Sequence, residues 1–274
     1  MNDQQDYPKK TPAIELKHVT KYYDDTPVLK DVSFSVMRGE TKIILGGSGS
    51  GKSTILKLII GLVQADEGEI WVEGQNITNY GESSLMAIRK RIGMVFQEGA
   101  LFDSLSVADN LGFRLYEQGE LDDDEVLEVV RKNLGFVNLG DAIDKMPSEL
   151  SGGMRRQTAI ARALMGTPEI MLYDEPTTGL DPITARTINE LVIKLRDLEN
   201  VSSIFVTHRL KDADTLARER LIQENGHWVV RPELTDPDRI NTHFIMLKNG
   251  GVIFEGTDKA LRNSRDPYIQ RFLI

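Results

Sequence analysis

The sequence contains no cysteine. This absence excludes disulfide bonds, catalysis by a thiolate, and zinc or iron–sulfur sites with cysteine ligands. The two isolated histidines His227 and His243 are weak support for a metal site.

Long apolar runs and an excess of basic residues are also missing. No stretch approaches the ~18 uninterrupted apolar residues of a membrane-spanning helix, and residues 1–12 lack the apolar segment of a secretory leader. We therefore expect a cytosolic chain. The net charge of −9 and the pI near 5.1 argue against nucleic-acid binding through a broad basic surface. Its 274 residues, 40% of them hydrophobic, suffice for one large domain or two modest ones.

A glycine-rich segment lies between an apolar run at 42–45 and a helix-like run at 54–63. It reads Gly46-Gly47-Ser48-Gly49-Ser50-Gly51-Lys52-Ser53. The pattern G-x-x-x-x-G-K-[ST] between a strand and a helix is that of a P-loop, whose backbone N–H groups and helix N-terminus bind phosphate. We predict that Lys52 reaches the β- and γ-phosphates of ATP, that Ser53 ligates Mg²⁺, and that Thr54 hydrogen-bonds phosphate.

Two adjacent carboxylates end a second apolar run. Residues 170–173 are typical of a buried strand, and Asp174 and Glu175 follow it directly. A strand in the same sheet delivers these acids to the same edge as the P-loop. We predict that Asp174 holds Mg²⁺ through water. Glu175 is placed to polarise the attacking water as a general base.

A second glycine-rich turn opens a basic helix. It reads Leu150-Ser151-Gly152-Gly153-Met154. One ATP needs only one P-loop, so a second phosphate-binding turn suggests a site that another copy of the protein completes. Arg155 and Arg156 follow, and two interpretations stay open for them: solvated basic residues, or direct contacts to nucleotide.

Together these motifs resemble the ATP-binding subunit of ABC transporters over nearly the whole chain. The resemblance implies an α/β fold with a RecA-like parallel-sheet core, an antiparallel β subdomain and an inserted α-helical subdomain. It implies a motor subunit that hydrolyses ATP to ADP and phosphate, with ATP and Mg²⁺ as cofactors. Two copies would close head to tail, with Ser151, Gly152 and Gly153 on the γ-phosphate that the other copy holds. The family usually has Gln where this chain has Met154.

Further site residues follow from the same resemblance. Gln97 is similar to the glutamine that contacts Mg²⁺ and reports ATP occupancy to the membrane subunit. His208 is similar to the switch histidine, which bonds the γ-phosphate and holds the attacking water. Asp181 ends the D-loop that crosses the dimer interface. Tyr23 is placed to stack on adenine, and we prefer it to Tyr22 because of its spacing to residues 28–29.

The predicted organisation has three parts. Residues 1–12 form a flexible N-terminal tail, 13–258 the ATPase domain, and 259–274 a C-terminal helical tail. Within the ATPase domain, the helical subdomain spans about 100–165, and the acidic run 122–125 marks a helix start. Residues 66–97 show strand and turn signals. An extra segment at about 220–243 is polar and irregular, although 228–230 could form a short strand, and 249–251 indicate a hairpin turn.

Two segments resemble one subfamily. These segments are Gly99-Ala100-Leu101-Phe102-Asp103-Ser104 and the tail 266–273. Both look like the corresponding sequences of Mla/Mce-type ATPases, which move phospholipids or other lipids across the Gram-negative envelope. This implies a peripheral protein on the cytoplasmic face of the inner membrane. Its implied partners are an integral membrane permease and a periplasmic Mce-type lipid-binding protein. Whether a small regulatory subunit binds the C-terminal tail stays open.

Other functions compete with this one. Both segments could be generic ABC sequence, in which case the chain would serve an importer or exporter of another substrate. A soluble ABC protein acting on DNA, ribosomes or cofactor assembly is a second alternative, but the chain lacks the paired modules or long coiled coil of such proteins. A simple P-loop kinase is a third, and the glycine-rich turn at 150–154 and His208 argue against it.

Overall fold

The computed structural model describes residues 11–119 and 121–273. Most of the segment predicted as a flexible N-terminal tail, residues 1–10, lies outside the described residues, as do Glu120 and Ile274. The strands are β1 (Ile14–Tyr23), β2 (Thr26–Val36), β3 (Thr41–Gly46), β4 (Glu67–Val72), β5 (Gln75–Asn76), β6 (Ile92–Val95), β7 (Ile170–Asp174), β8 (Ser202–Thr207), β9 (Glu219–Glu224), β10 (His227–Pro232), β11 (Thr242–Lys248) and β12 (Gly251–Gly256). The α-helices are α1 (Lys52–Ile59), α2 (Glu82–Arg89), α3 (Val107–Gln118), α4 (Asp123–Phe136), α5 (Gly152–Leu164), α6 (Pro182–Glu199), α7 (Leu210–Arg218), α8 (Asp258–Arg262) and α9 (Pro267–Phe272).

The main sheet has six strands in the order β12-β11-β3-β8-β7-β6. The five strands from β11 to β6 pair in parallel, and β12 pairs antiparallel with β11. Because β3, β8 and β7 are parallel neighbours, their carboxyl ends meet at one edge of the sheet, which is where open α/β sheets bind ligands. The fold therefore brings the residues after Leu45, Tyr173 and Val206 together.

The alternation of side chains along the central strands divides the hydrophobic core in two. One face of the main sheet joins a larger cluster with helices α3 to α7, and contributes Ile43, Leu45, Met171, Tyr173 and Phe205. The other face joins a smaller cluster with α1 and the antiparallel sheet β2-β1-β4-β5, and contributes Ile44, Leu172, Ile204 and Val206. Because both faces are covered, β3, β7 and β8 are buried along their whole length, and the runs at their centres are apolar, as in parallel strands generally.

The helices α3, α4 and α5 occupy the chain between β6 and β7. The predicted helix start at the acidic run is confirmed: the Asp122 carboxylate accepts from the Glu125 amide, and the Glu125 side chain accepts from the Asp122 amide. This reciprocal capping box satisfies two N–H groups that a helix start leaves unpaired. No helix in the described part of the chain is long and apolar enough to cross a membrane.

One expectation of local structure was incomplete and one was wrong. The strand signals at 66–97 are confirmed by β4, β5 and β6, and the unpredicted helix α2 also forms there, burying Leu85 and Ile88. The segment at about 220–243 is not irregular over its first half, because β9 and β10 form a hairpin that buries Leu221 and Val230. The extra strand at 228–230 is confirmed as part of β10, and the turn at 249–251 as the β11–β12 hairpin.

The helices α8 and α9 lie in the region that the sequence sets apart as a C-terminal tail. Leu261 and Ile269 are both 1% exposed and belong to the larger hydrophobic cluster. The end of the chain is thus packed onto the main sheet.

Candidate active site

The P-loop spans the end of β3 and the start of α1. Gly51 has a φ of 99°, and a Cβ on it would lie 2.5 Å from Leu29 Cδ2, so only glycine fits. A Cβ on Gly49 would meet nothing within 4 Å, so this part of the loop is open. Because α1 begins at Lys52, its unpaired first N–H groups point toward the open loop, which makes it an anion site.

The Lys52 side chain is folded onto its own loop. Its Nζ donates to the carbonyl oxygens of Gly46 at 2.9 Å and Gly47 at 3.0 Å. The Lys52 side chain is only 5% exposed, so the ammonium is buried against the loop. A phosphate bound by the loop would lie within reach of this ammonium.

Ser53 and Asp174 meet between α1 and β7. The Ser53 hydroxyl donates to Asp174 Oδ1 at 2.8 Å, across 121 residues of chain. Burial raises the pKa of the Asp174 carboxyl, the nearby charge of Glu175 adds to the rise, and the Ser53 hydrogen bond opposes it. A hydroxyl and a carboxylate at bonding distance are oxygen ligands of the kind that Mg²⁺ prefers, and a divalent cation would relieve the charge that burial disfavours.

Glu175 is the centre of the polar contacts at this edge. Its Oε2 lies 2.8 Å from His208 Nδ1 and accepts from the Thr178 hydroxyl at 3.0 Å, while Oε1 lies 3.5 Å from Lys52 Nζ. Its φ is 47°, in the left-handed region that costs a non-glycine residue about 1–3 kcal/mol and recurs at functional sites. The Glu175 amide donates to the Val206 carbonyl at 3.0 Å, which ties this residue to β8.

The other residues predicted to lie near the P-loop are less constrained. Thr54 is half-buried in the first turn of α1, Ser48 is exposed, and the buried Ser50 hydroxyl has no hydrogen-bond partner in the described chain. Gln97 is exposed just after β6. Tyr22 and Tyr23 are 40% and 42% exposed, so the fold does not choose between them as an adenine platform.

The second glycine-rich turn lies at the start of α5. Ser151 caps this helix by accepting from the Met154 amide at 3.2 Å. A Cβ on Gly153 would lie 2.2 Å from Thr184 Cγ2, so the start of α5 is pressed against the start of α6. There Asp181 caps α6 by accepting from the amides of residues 183 and 184, both at 3.0 Å.

No hydrogen bond or ion pair that the described residues make joins this second turn or Asp181 directly to the P-loop, Asp174, Glu175 or His208. Of the two arginines after the turn, Arg155 donates to the Pro147 carbonyl at 3.1 Å. Arg156 is 9% exposed, so it is not a solvated residue, and burial lowers its pKa.

Two contacts of the site involve residues that were not predicted. Thr178 is not among the predicted site residues, yet its hydroxyl donates to Glu175. Tyr268 in α9 brings its hydroxyl to 3.4 Å from the Gly47 amide, across 221 residues of chain. A threonine three residues after a carboxylate is a recognisable local signal, but no local pattern indicates the contact from α9.

Comparisons with known proteins agree with this geometry. The family model described as ABC transporter matches residues 29–178. The intermembrane phospholipid transport system ATP-binding protein MlaF of Haemophilus influenzae is 35% identical over 95% of this chain and 89% of its own length. The probable ribonucleotide transport ATP-binding protein mkl of Mycobacterium leprae is 33% identical over 95% of this chain and 68% of its own length.

Solved structures agree as well. The dimeric post-hydrolysis structure of an ATP-binding cassette bound to ADP and Pi matches with a TM-score of 0.74 and 30% identity, over 89% of this chain and 98% of that one. The predicted fold class and ATPase class are confirmed. The chain therefore belongs to the ABC transporter family, and it is an ATPase of the ATP-binding cassette type.

Proposed function

We propose that this ATPase is the motor subunit of a membrane transporter that moves phospholipid or another lipid. The observation that carries the chemical part is the convergence of Lys52, Ser53, Asp174, Glu175 and His208 at one edge of the main sheet. The cargo assignment is supported by the similarity to MlaF and by the Mla/Mce-like segments at 99–104 and 266–273.

Ser53, Asp174 and Gln97 are the proposed Mg²⁺ ligands. The pairing of Ser53 with Asp174 supports two of them, and Gln97 is exposed beside the same sheet edge. When bound, Mg²⁺ neutralises developing phosphate charge and orients the transferring group. Lys52 exchanges its two carbonyl partners for phosphate oxygens, while the N–H groups of residues 46–54 bind the remaining oxygens.

Glu175 is the proposed general base and His208 its partner. The ionised Glu175 carboxylate accepts a proton from the attacking water, and its bonds to His208 and Thr178 hold it in one orientation. His208 also bonds the γ-phosphate, so that water, base and phosphate are aligned. Positioning and electrostatics provide most of the rate enhancement in this chemistry.

A second copy of the chain completes the site in this proposal. The residues Ser151, Gly152, Gly153 and Asp181 form a surface of their own, separate from the P-loop contacts. We propose that this surface binds the γ-phosphate of nucleotide held by the partner copy. The dimeric state of the matched cassette structure supports this arrangement.

The proposed location is peripheral, at the cytoplasmic face of the inner membrane. There the dimer would engage an integral membrane permease, and the system would include a periplasmic Mce-type lipid-binding protein and a small regulatory subunit. Transport of ribonucleotide is the second candidate, favoured by the name of the mkl relative. We place it second because the segments at 99–104 and 266–273 resemble Mla-type sequence.

Two measurements test the proposal. Glu175→Gln removes the base and keeps the side-chain volume, so kcat for ATP hydrolysis should fall about 10²- to 10⁴-fold. Glu190→Gln, on the surface of α6, should leave it unchanged. Normal turnover by the Glu175 variant would refute the general-base assignment.

The cargo is tested by isolating the tagged protein from its native membranes in mild detergent. A permease that co-purifies with a lipid-binding Mce-type protein supports lipid transport. A permease with another substrate-binding protein refutes the lipid cargo, and ribosomes or DNA without a permease refute the transporter assignment.

A further inference from the structure

A polar cluster lies beside the active site, formed by the buried residues Asp212, Thr177 and Asn189 and the half-buried Arg209. Asp212 is 1% exposed. Its carboxylate accepts from the Thr177 hydroxyl at 2.5 Å and from Asn189 Nδ2 at 2.9 Å, and Arg209 Nε lies 3.6 Å from it. A buried carboxylate is tolerated only when such partners are present. We refer to these four residues as the Asp212 cluster.

The members of the Asp212 cluster come from the two segments that carry the reaction. Thr177 lies two residues after Glu175, and Arg209 directly follows His208. The two segments are also joined to each other, because Arg209 donates from its guanidinium to the Thr177 carbonyl at 2.7 Å. Asp212, in the first turn of α7, thus contacts both segments: it accepts a hydrogen bond from Thr177 and forms an ion pair with Arg209.

The relative position of these segments determines whether the base and the histidine meet. Glu175 and His208 are 33 residues apart in the chain. The 2.8 Å contact between their side chains therefore requires the two backbone segments to keep their relative position. Glu175 also holds a left-handed φ of 47°, a conformation that persists only when its surroundings over-determine it. The Asp212 cluster supplies such constraints, because Thr177, two residues after Glu175, is hydrogen-bonded to both Asp212 and Arg209.

We propose that Asp212 is a positioning residue for ATP hydrolysis, which holds Glu175 and His208 together through Thr177 and Arg209. This inference rests on the proposed roles of Glu175 and His208. Asp212 does not reach the reacting atoms, so it acts on the rate through the two segments. A cluster that only stabilised the fold would change the melting temperature without a specific change in kcat.

The first test compares two aspartates on the same helix. Asp212→Asn removes the charge from the cluster, whereas Asp214→Asn removes a charge that pairs with Arg262. We expect Asp212→Asn to lower kcat on the order of tenfold, equivalent to about 1.4 kcal/mol of barrier, with KM for ATP changed less than about twofold. Asp214→Asn should leave kcat unchanged. Equal kcat in both variants overturns the proposal.

The second test remains informative even if Asp212→Asn does not fold. Thr177→Ser keeps the hydroxyl that bonds Asp212, and Thr177→Val keeps the shape but loses it. We expect Thr177→Ser to retain wild-type kcat and Thr177→Val to lose on the order of tenfold, with KM unchanged. Wild-type kcat in Thr177→Val, or equal losses in both variants, contradicts the proposal.

The third test separates this inference from the proposed function. Asp212→Asn added to Glu175→Gln should lower the residual kcat by less than about twofold, because residues that act as a unit are not additive. A full further loss on the order of tenfold means that Asp212 does not act through Glu175, and refutes the inference. Normal turnover by Glu175→Gln alone refutes the general-base role instead.

Discussion

Replacing Tyr173 with phenylalanine should stabilise the protein. Tyr173 lies in β7, one residue before Asp174, with 0% of its surface exposed. Its ring packs against Phe205 with centroids 5.7 Å apart and planes inclined by 41°. The hydroxyl has no hydrogen-bond partner in the described part of the chain, and burial raises its pKa. Phenylalanine keeps the ring and removes only the unpaired group.

The size of the effect follows from the cost of an unsatisfied polar group. A buried hydroxyl without a partner costs about 1–3 kcal/mol, so its removal should stabilise the fold by that amount. The loss of the oxygen's packing contacts offsets a part of this stabilisation. We expect Tyr173→Phe to raise the free energy of unfolding by about 1–2 kcal/mol. The melting temperature should rise by roughly 2–4 °C per kcal/mol in a protein of this size.

Thermal and urea denaturation of the nucleotide-free protein measure this change. Tyr116→Phe, at a position that is 42% exposed, is the matched control and should leave the stability unchanged. ATP turnover should be normal in Tyr173→Phe, since the hydroxyl bonds to none of the site residues. A loss of 1 kcal/mol or more, about the value of one hydrogen bond, would mean that the hydroxyl has a partner such as a buried water, and the reasoning would be refuted.

Three further predictions concern packing, charge and capping. Gly153→Ala should lower the melting temperature because its Cβ would lie 2.2 Å from Thr184 Cγ2, and Thr184→Ser in the same protein should restore it. Burial alone would raise the pKa of Glu40, but its close contacts with His243 and Lys42 and the hydrogen bond from the Met37 amide lower it below its ordinary 4.5. The ionised form is therefore favoured in the fold, so Glu40→Gln should destabilise at pH 7, by an amount that shrinks as the pH falls below 4.5. Asp122→Ala should cost about 1 kcal/mol in denaturation experiments, and no loss would contradict the capping role.

The local motifs were predictable because each one is contiguous in the chain. The P-loop, the strand that ends at Asp174 and the acidic helix start all carry their signal within about ten residues. The hairpin of β9 and β10 also carries one, since Asn225-Gly226 is a typical two-residue turn and both residues have positive φ. The polar composition around it obscured that signal. The helix α2 is harder to predict, because it has only eight residues and buries two apolar side chains.

The residue types of the site and the conformations around them are properties of the sequence itself. Glycine at 51 permits the turn, and apolar strands at β3, β7 and β8 require burial on both faces. The order in which these strands pair is decided in three dimensions, by the packing of helices against one face and of α1 and the antiparallel sheet against the other. That order brings Ser53 to Asp174 and Glu175 to His208, and the packing of α9 brings Tyr268 to Gly47. Periodicity in the sequence indicates only which face of an element is buried. The partner that packs against that face is decided by the tertiary structure, and so are the contacts of Asp212 with both reacting segments.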